Sequence, residues 1–261
     1  MEKLILTQDK IHTGNLILVN QACGFQRDSY GFPVPVLEDA PEILLNRNAC
    51  ALLTQLMSEI DGWRHIVPVS GWRSREEQQR IWDESMEENG PEFTRKFVAF
   101  PGHSEHQTGL AIDLGLRREH VDFIRPDFPY TGICQAFREK APKYGFILRY
   151  PAGKESVTGI GHEPWHFRYV GAPHAEIITK HGLCLEEYIG FLKQFSFRDN
   201  PYLYADGSRV YSISYIKADK TLSPLVLPKD HPYTVSGNNT DGFILTEWRK
   251  QDAYQQQLRM A

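Results

Sequence analysis

The sequence predicts an α+β fold in which helices pack around a mostly antiparallel central sheet, followed by a small β-rich module at the C-terminal end. Three observations carry that expectation. Apolar residues recur at helical spacing in several separate segments, and short β-branched or aromatic runs lie between them without a regular strand–helix–strand period. Beyond Arg198 the character changes to strand-like alternation with turn signals. The 261 residues are 41% hydrophobic, enough to build a sizeable core. With 24% charged and 12% aromatic residues, the composition excludes disordered and fibrous classes. A formal charge of -4 without a basic run argues against nucleic acid or an anionic membrane surface as a partner.

The elements follow in order. An extended start contains Leu16-Ile17-Leu18-Val19, and Asn46 to Ile60 places Ala49, Leu52, Leu53, Leu56, Met57 and Ile60 on one helical face. His65 to Val69 reads as a short buried strand feeding Ser70-Gly71-Trp72-Arg73. Ser74-Arg75-Glu76-Glu77 is a capping-box pattern that opens a helix to about Glu88, stopped by Asn89-Gly90-Pro91. A polar loop, Pro101 to Thr108, leads into a strand at Leu110 to Leu114. Gly132 to Tyr144 is helical in pattern and is stopped by Gly145; Phe146-Ile147-Leu148 and Phe167 to Val170 read as strands, and helices near Pro173 to His181 and Leu185 to Phe195 close the body. In the last stretch, Asp206-Gly207 and Asn238-Asn239 mark turns, while Tyr211 to Tyr215 and Gly242 to Trp248 are strand-like. These patterns divide the chain into a main domain over 1–197 and a small extension over 198–261.

The stretch from Met1 to Asn20 lacks the basic start, apolar centre and cleavage site of an export signal, so a cytoplasmic location is expected. Cys23, Cys50, Cys134 and Cys184 are scattered without a Cys-x-x-Cys pair, which reads as buried reduced thiols.

Chemistry concentrates in Ser104 to Asp113 and His162 to His166. A tetrahedral zinc hydrolase needs three protein ligands and one open position, and two histidines with one carboxylate make such a set. His106, Asp113 and His166 supply it, one from the loop, one from the following strand and one from a neighbouring strand. Pro164 disfavours a helix at Glu163, so Glu163 approaches from a bent or extended segment. There it would act as general base, taking a proton from the attacking water and later giving it to the leaving amine. Arg73, at a capped helix start, is the candidate cation for the developing oxyanion. Of the ten histidines, His12, His65, His120, His181 and His231 read as surface or packing residues. His103 reads as exposed, and His162 is left open between a supporting role and the surface. Trp72 and Trp165 read mainly as packing; Trp165 is also a substrate-binding candidate, since a site wall can be both.

The motif Ser-x-His-x-x-Gly-x-Ala-x-Asp at Ser104 to Asp113, with Glu-x-Trp-His at Glu163 to His166, Ser-Gly-aromatic-Arg-Ser at Ser70 to Ser74, and Gln78, resembles the zinc D,D-peptidases of vancomycin resistance. These are the VanX, VanY and VanXY proteins, and the resemblance, over roughly residues 10 to 195, is greatest to the bifunctional VanXY type, including its variant with a C-terminal extension. It implies one zinc ion per chain. The implied reactions are hydrolysis of D-alanyl-D-alanine and removal of the terminal D-alanine from UDP-MurNAc-pentapeptide. It also implies substrate hydrogen bonds at Ser104 and Gln78, whereas Trp72 stands where relatives often carry Tyr, keeping an aromatic wall but no hydroxyl. Two other readings compete: a D,D- or L,D-carboxypeptidase trimming assembled peptidoglycan, and a noncatalytic zinc module that binds a cell-wall precursor. Glu163 argues against the second, because a binding-only site has no use for a base beside its metal.

Overall fold

The computed structural model describes residues 2–26, 33–218, 224–229 and 231–251. In chain order, β1 (Glu2–Leu4) precedes the hairpin β2 (Pro33–Leu37) and β3 (Ala40–Asn46), which runs into α1 (Arg47–Glu59) and β4 (Ile66–Ser70). Next come α2 (Arg75–Glu88), α3 (Gly90–Phe97), β5 (Ala111–Leu116), α4 (Gly132–Lys140), β6 (Phe146–Tyr150) and α5 (Glu155–Thr158). β7 (Glu163–Tyr169), α6 (His174–His181) and α7 (Leu185–Leu192) follow. The last strands are β8 (Tyr202–Ala205), β9 (Arg209–Lys217), β10 (Leu225–Leu227), β11 (Tyr233–Gly237) and β12 (Gly242–Lys250).

The chain divides into two compact units, Val19–Glu186, and Met1–Leu18 with Glu187–Ala261. This division differs from the expected one at 197/198: the break falls inside α7, and the first residues join the C-terminal unit.

In the larger unit the central sheet has the order β4-β5-β7-β6, antiparallel throughout, as expected from the sequence. α1 begins at the N-cap Asn46, whose side chain accepts from the backbone N–H of Asn48 and Ala49, and it buries Ala49, Leu53, Leu56 and Met57. Burying each leucine contributes about 1.5–3 kcal/mol. On the same core, Phe128, Phe137 and Phe167 meet edge to face with centroids 4.7–5.7 Å apart. Ser74 caps α2 as its motif predicts, with Oγ accepting from Glu77 N–H at 3.1 Å. Gly90-Pro91 stops α2, but it also opens α3, an element the pattern did not anticipate; proline at a first turn costs no hydrogen bond.

Two bulges shape the sheet. Between β6 and β7 the register passes from Leu148 opposite Phe167 to Tyr150 opposite Glu163, leaving extra residues on β7. Glu163 and His166, three apart and destined for opposite faces of a regular strand, can thereby serve one site. Pro164, which has no N–H to give the ladder, sits in this bulge, and its carbonyl accepts from Arg138 Nη2 of α4 at 2.9 Å. A second bulge, on β4 between Pro68 and Ser70, brings Ser70 opposite Asp113.

The smaller unit carries the antiparallel sheet β11-β12-β9-β8 and the pair β1-β10. Its N-terminal segment is bound through backbone: Gly237 N–H donates to Thr13 O and Asn239 N–H to Ile11 O, each at 2.7 Å. Any side chain at Gly237 would meet the Ile11 carbonyl at 2.1 Å, so only glycine permits this approach. The expected β character of the C-terminal region holds for its described strands, whereas 219–223, 230 and 252–261 lie outside the described residues.

The four cysteines are thiols rather than disulfides, with Cys50, Cys134 and Cys184 buried and Cys23 half-buried. No helix among the described residues is long and apolar enough to cross a membrane.

Candidate metal centre

The loop before β5 ends in a short 3-10 turn, Glu105–Thr108, which presents His106 toward the sheet. Asp113 on β5 stands directly opposite His166 on β7. Cross-strand neighbours lie close enough for their side chains to touch, and His166 Nδ1 is 2.8 Å from Asp113 Oδ1. His106 Nε2 approaches the other oxygen, Oδ2, at 3.1 Å. One donor atom from each of His106, Asp113 and His166 lies within 4.8 Å of the others, and all three residues are buried.

The tautomer of His106 follows from its second contact. Its Nδ1 lies 2.6 Å from the carbonyl of Gly71, which can only accept, so Nδ1 carries the proton. Gly71 occupies a place no other residue could: a Cβ there would meet the Leu44 carbonyl at 2.1 Å. Burial pushes His106 down to about 4, helped by Arg73, so the ring is neutral near pH 7. Its Nε2 lone pair then faces an Asp113 oxygen at 3.1 Å. Two lone pairs at that distance repel each other unless a cation lies between them, so this donor set fits a metal ion. Two imidazoles and one carboxylate suit zinc.

Glu163 Oε2 lies 3.7 Å from His166 Nδ1, beside the cluster. Burial pushes its carboxyl up to about 8 against the pull of His166, with Asp113 raising it further. For His166, burial opposes the charged form, but the adjoining Asp113 carboxylate outweighs it and raises the ring to about 9. Asp113 is itself held far below the usual carboxylate range: burial opposes its charge, but His106 and His166 prevail. Arg73 reaches from the turn before α2, with Nη2 3.9 Å from Asp113 Oδ2, and its buried Nε has no hydrogen-bond partner.

These residues line one cleft with Gln78, Ser104, Tyr150 and Trp165. Gln78, buried on α2, donates through Nε2 to Ala99 O at 2.8 Å, while its Oε1 is unpaired. The cleft thus holds an open donor on Arg73 and an open acceptor on Gln78, and Ser104 is buried at its wall. Trp165 is 5% exposed, so it is core as much as wall. His106, Asp113, His166, Glu163, Arg73, Gln78, Ser104 and Trp165 therefore come together here, whereas Trp72, the aromatic of the Ser-Gly-aromatic-Arg-Ser motif, does not line the cleft.

Two histidines are settled by their contacts. His162 spends both ring nitrogens elsewhere, Nδ1 on Tyr150 O at 2.9 Å and Nε2 on the Tyr130 hydroxyl at 3.0 Å. His103 is half-buried rather than exposed, because its Nδ1 bonds Asn20 O at 2.7 Å. The motifs did not point to Tyr150, whose ring lies 4.9 Å from that of His166, nor to Glu105, buried beside the site.

The family described as VanY: D-alanyl-D-alanine carboxypeptidase matches residues 42–172, a span that contains every one of these site residues. The chain belongs to the VanY family. Among its relatives, the bifunctional D-Ala-D-Ala dipeptidase and D-Ala-D-Ala carboxypeptidase VanXYC of Enterococcus gallinarum is 51% identical over 132 residues, covering 50% of this chain and 70% of that protein. The solved vancomycin-resistance D,D-dipeptidase VanXYg, in complex with a D-Ala-D-Ala phosphinate analogue, superposes with TM-score 0.92 and 48% identity, covering 95% of this chain and 99% of that one. A VanY D,D-pentapeptidase from a VanB-type resistance cassette, in complex with Zn(II), gives TM-score 0.57 and 32% identity over 67% of this chain and 98% of that chain. The family match makes this chain a metallopeptidase of the carboxypeptidase type, and the VanXYg structure spans nearly the full chain.

Proposed function

We propose that the protein is a zinc D,D-peptidase that both hydrolyses D-alanyl-D-alanine and removes the terminal D-alanine of UDP-MurNAc-pentapeptide, depleting precursors that vancomycin binds. The observation that carries this reading is the His106, Asp113 and His166 cluster with Glu163 beside it, in a chain 48% identical to a D,D-dipeptidase over 95% of its length.

One zinc ion per chain would be held by Nε2 of His106, Nδ1 of His166 and the Asp113 carboxylate. When bound, zinc supplies Lewis-acid polarisation of the scissile carbonyl and activation of water. Glu163 then does the proton work. Its Oε2 takes a proton from the attacking water as the new C–O bond forms, then delivers it to the amine as the C–N bond breaks. A buried carboxyl raised toward neutrality holds that proton between the two steps. Arg73 offers its guanidinium to the oxygen that gains charge in the transition state. Gln78 and Ser104 supply fixed polar contacts to the peptide, and Trp165 an apolar wall. Because the larger substrate is a nucleotide-linked precursor, the reading carries a cytoplasmic location with it.

The test is release of free D-alanine by the zinc-loaded protein from D-alanyl-D-alanine and, separately, from UDP-MurNAc-pentapeptide, each against a chelated control. Metal-dependent release from both is expected. Release from one alone narrows the enzyme to a dipeptidase or a carboxypeptidase, and release from neither, with zinc bound, overturns the reading in favour of wall-derived peptides or a binding module.

A further inference from the structure

Glu105 precedes His106 in the 3-10 turn and is completely buried, yet it is not one of the clustered metal donors. Its Oε1 accepts from two guanidiniums, Arg149 Nε at 2.8 Å and Arg168 Nη1 at 2.6 Å. Arg149 in turn donates to both oxygens of Glu186, at 2.9 and 2.6 Å, and Asn20 Nδ2 donates to Glu186 at 3.0 Å. Two acids and two arginines thus form a charge-balanced network, buried at Glu105, Arg149 and Arg168 and partly exposed at Glu186. Stability alone does not account for it, since well-packed apolar residues commonly do as well as a buried ion-pair network.

The second oxygen of Glu105 is differently placed. Oε2 has no hydrogen-bond partner and faces His166 Nε2, itself unpartnered, across 3.7 Å. The other ring nitrogen, Nδ1, looks into the metal centre. Without metal, burial opposes a charged ring and the Asp113 carboxylate outweighs it, but a histidine that ligates a metal is a neutral imidazole with one proton. If that proton sat on Nδ1 it would be spent on Asp113, 2.8 Å away, and Nδ1 would have no lone pair for a metal.

We propose that Glu105 is a positioning residue of the metal centre, whose Oε2 accepts the Nε2 proton of His166 and so leaves Nδ1 as the ligating lone pair. Arg149 and Arg168 keep the carboxylate ionised and fix its direction. The arrangement requires the 3.7 Å gap to close to about 2.7–2.9 Å in the metal-loaded protein, the length of a charge-assisted bond. The inference rests on the zinc reading given above.

The experiment measures zinc affinity of the full-length protein by competition with a chromophoric chelator, for the parent, Glu105→Gln and Glu186→Gln. Glu186→Gln disturbs the same network at the end away from His166, and so controls for a purely structural role. Glu105→Gln is expected to weaken zinc binding by about 10–100-fold, as loss of a carboxylate behind a ligating histidine does, with Glu186→Gln close to the parent. Histidine 15N NMR of the zinc-loaded parent needs no variant to fold. It should show His166 metal-bound at Nδ1 and protonated at Nε2, with an exchange-protected, downfield proton. Equal affinity of Glu105→Gln and parent, equal weakening in both variants, or a freely exchanging Nε2 proton overturns the proposal. A parent that binds no zinc overturns it together with the functional reading.

Discussion

In the proposed mechanism Glu163 is the residue on which the chemistry turns, and its position makes a sharp prediction. It stands next to the donor cluster without being one of its three members, so replacing it should separate metal binding from turnover. Glu163→Gln keeps the size and buried hydrogen-bonding character but cannot take a proton. Its kcat for D-alanine release is expected to fall by about 10²–10⁴, with zinc stoichiometry by metal analysis unchanged. Parent-like turnover would remove Glu163 from the mechanism, and loss of zinc would make it a ligand. That His106, Asp113 and His166 would converge, with Glu163 beside them, was legible in the sequence because their motifs set one on a loop and the others on neighbouring strands. Glu105 was not. It occupies a variable position of its motif, and its meaning depends on Arg149 and Arg168, 44 and 63 residues away. Only the sheet brings these together, and no local pattern marks an arginine that will be buried.

At the scale of elements, what could be read was whatever local chemistry dictates. The Asn46 and Ser74 caps and the helical apolar faces are short-range signals, and α1 and α2 follow them closely. The β6/β7 bulge is a long-range property of two strands: the motifs predict Glu163 and His166 at one site, but nothing local marks the bulge that lets residues three apart on a strand meet there. The junction of β4 with the turn before α2 is a third case, in which one glycine joins two requirements. Gly71 lies against the Leu44 carbonyl, and its own carbonyl fixes His106. Gly71→Ala must push β3 or the turn outward and carry the His106 anchor with it. The expected result is a loss of about 1–3 kcal/mol in unfolding stability, as overpacking produces, accompanied by weaker zinc binding in the same chelator competition. Unchanged stability and affinity would show that the turn relaxes without moving His106.

For the molecule as a whole, the division of the chain was the least legible property, because β11 and its following turn recruit the N-terminal segment through backbone and side-chain bonds between residues far apart in sequence, which no local pattern marks. Stability against acid is a property at this same scale, and it depends in part on a histidine that no motif singled out. His174, at the start of α6, is 6% exposed, and burial pushes it down from 6.5 to about 3. The folded protein therefore holds this ring neutral where the unfolded chain would protonate it. The stabilisation is fully present above pH 6.5 and is lost progressively as pH falls toward 3, since the unfolded state then binds the additional proton. Between pH 7 and pH 5 this single site should remove about 2 kcal/mol. A bound metal would add a pH dependence of its own, since its ligands must be deprotonated, so the measurement compares denaturant unfolding of parent and His174→Gln, both chelated, at the two pH values. The parent should lose about 2 kcal/mol more than the variant over that interval. Parallel losses would mean that the ring is already protonated in the folded state, paired with an acceptor strong enough to offset its burial.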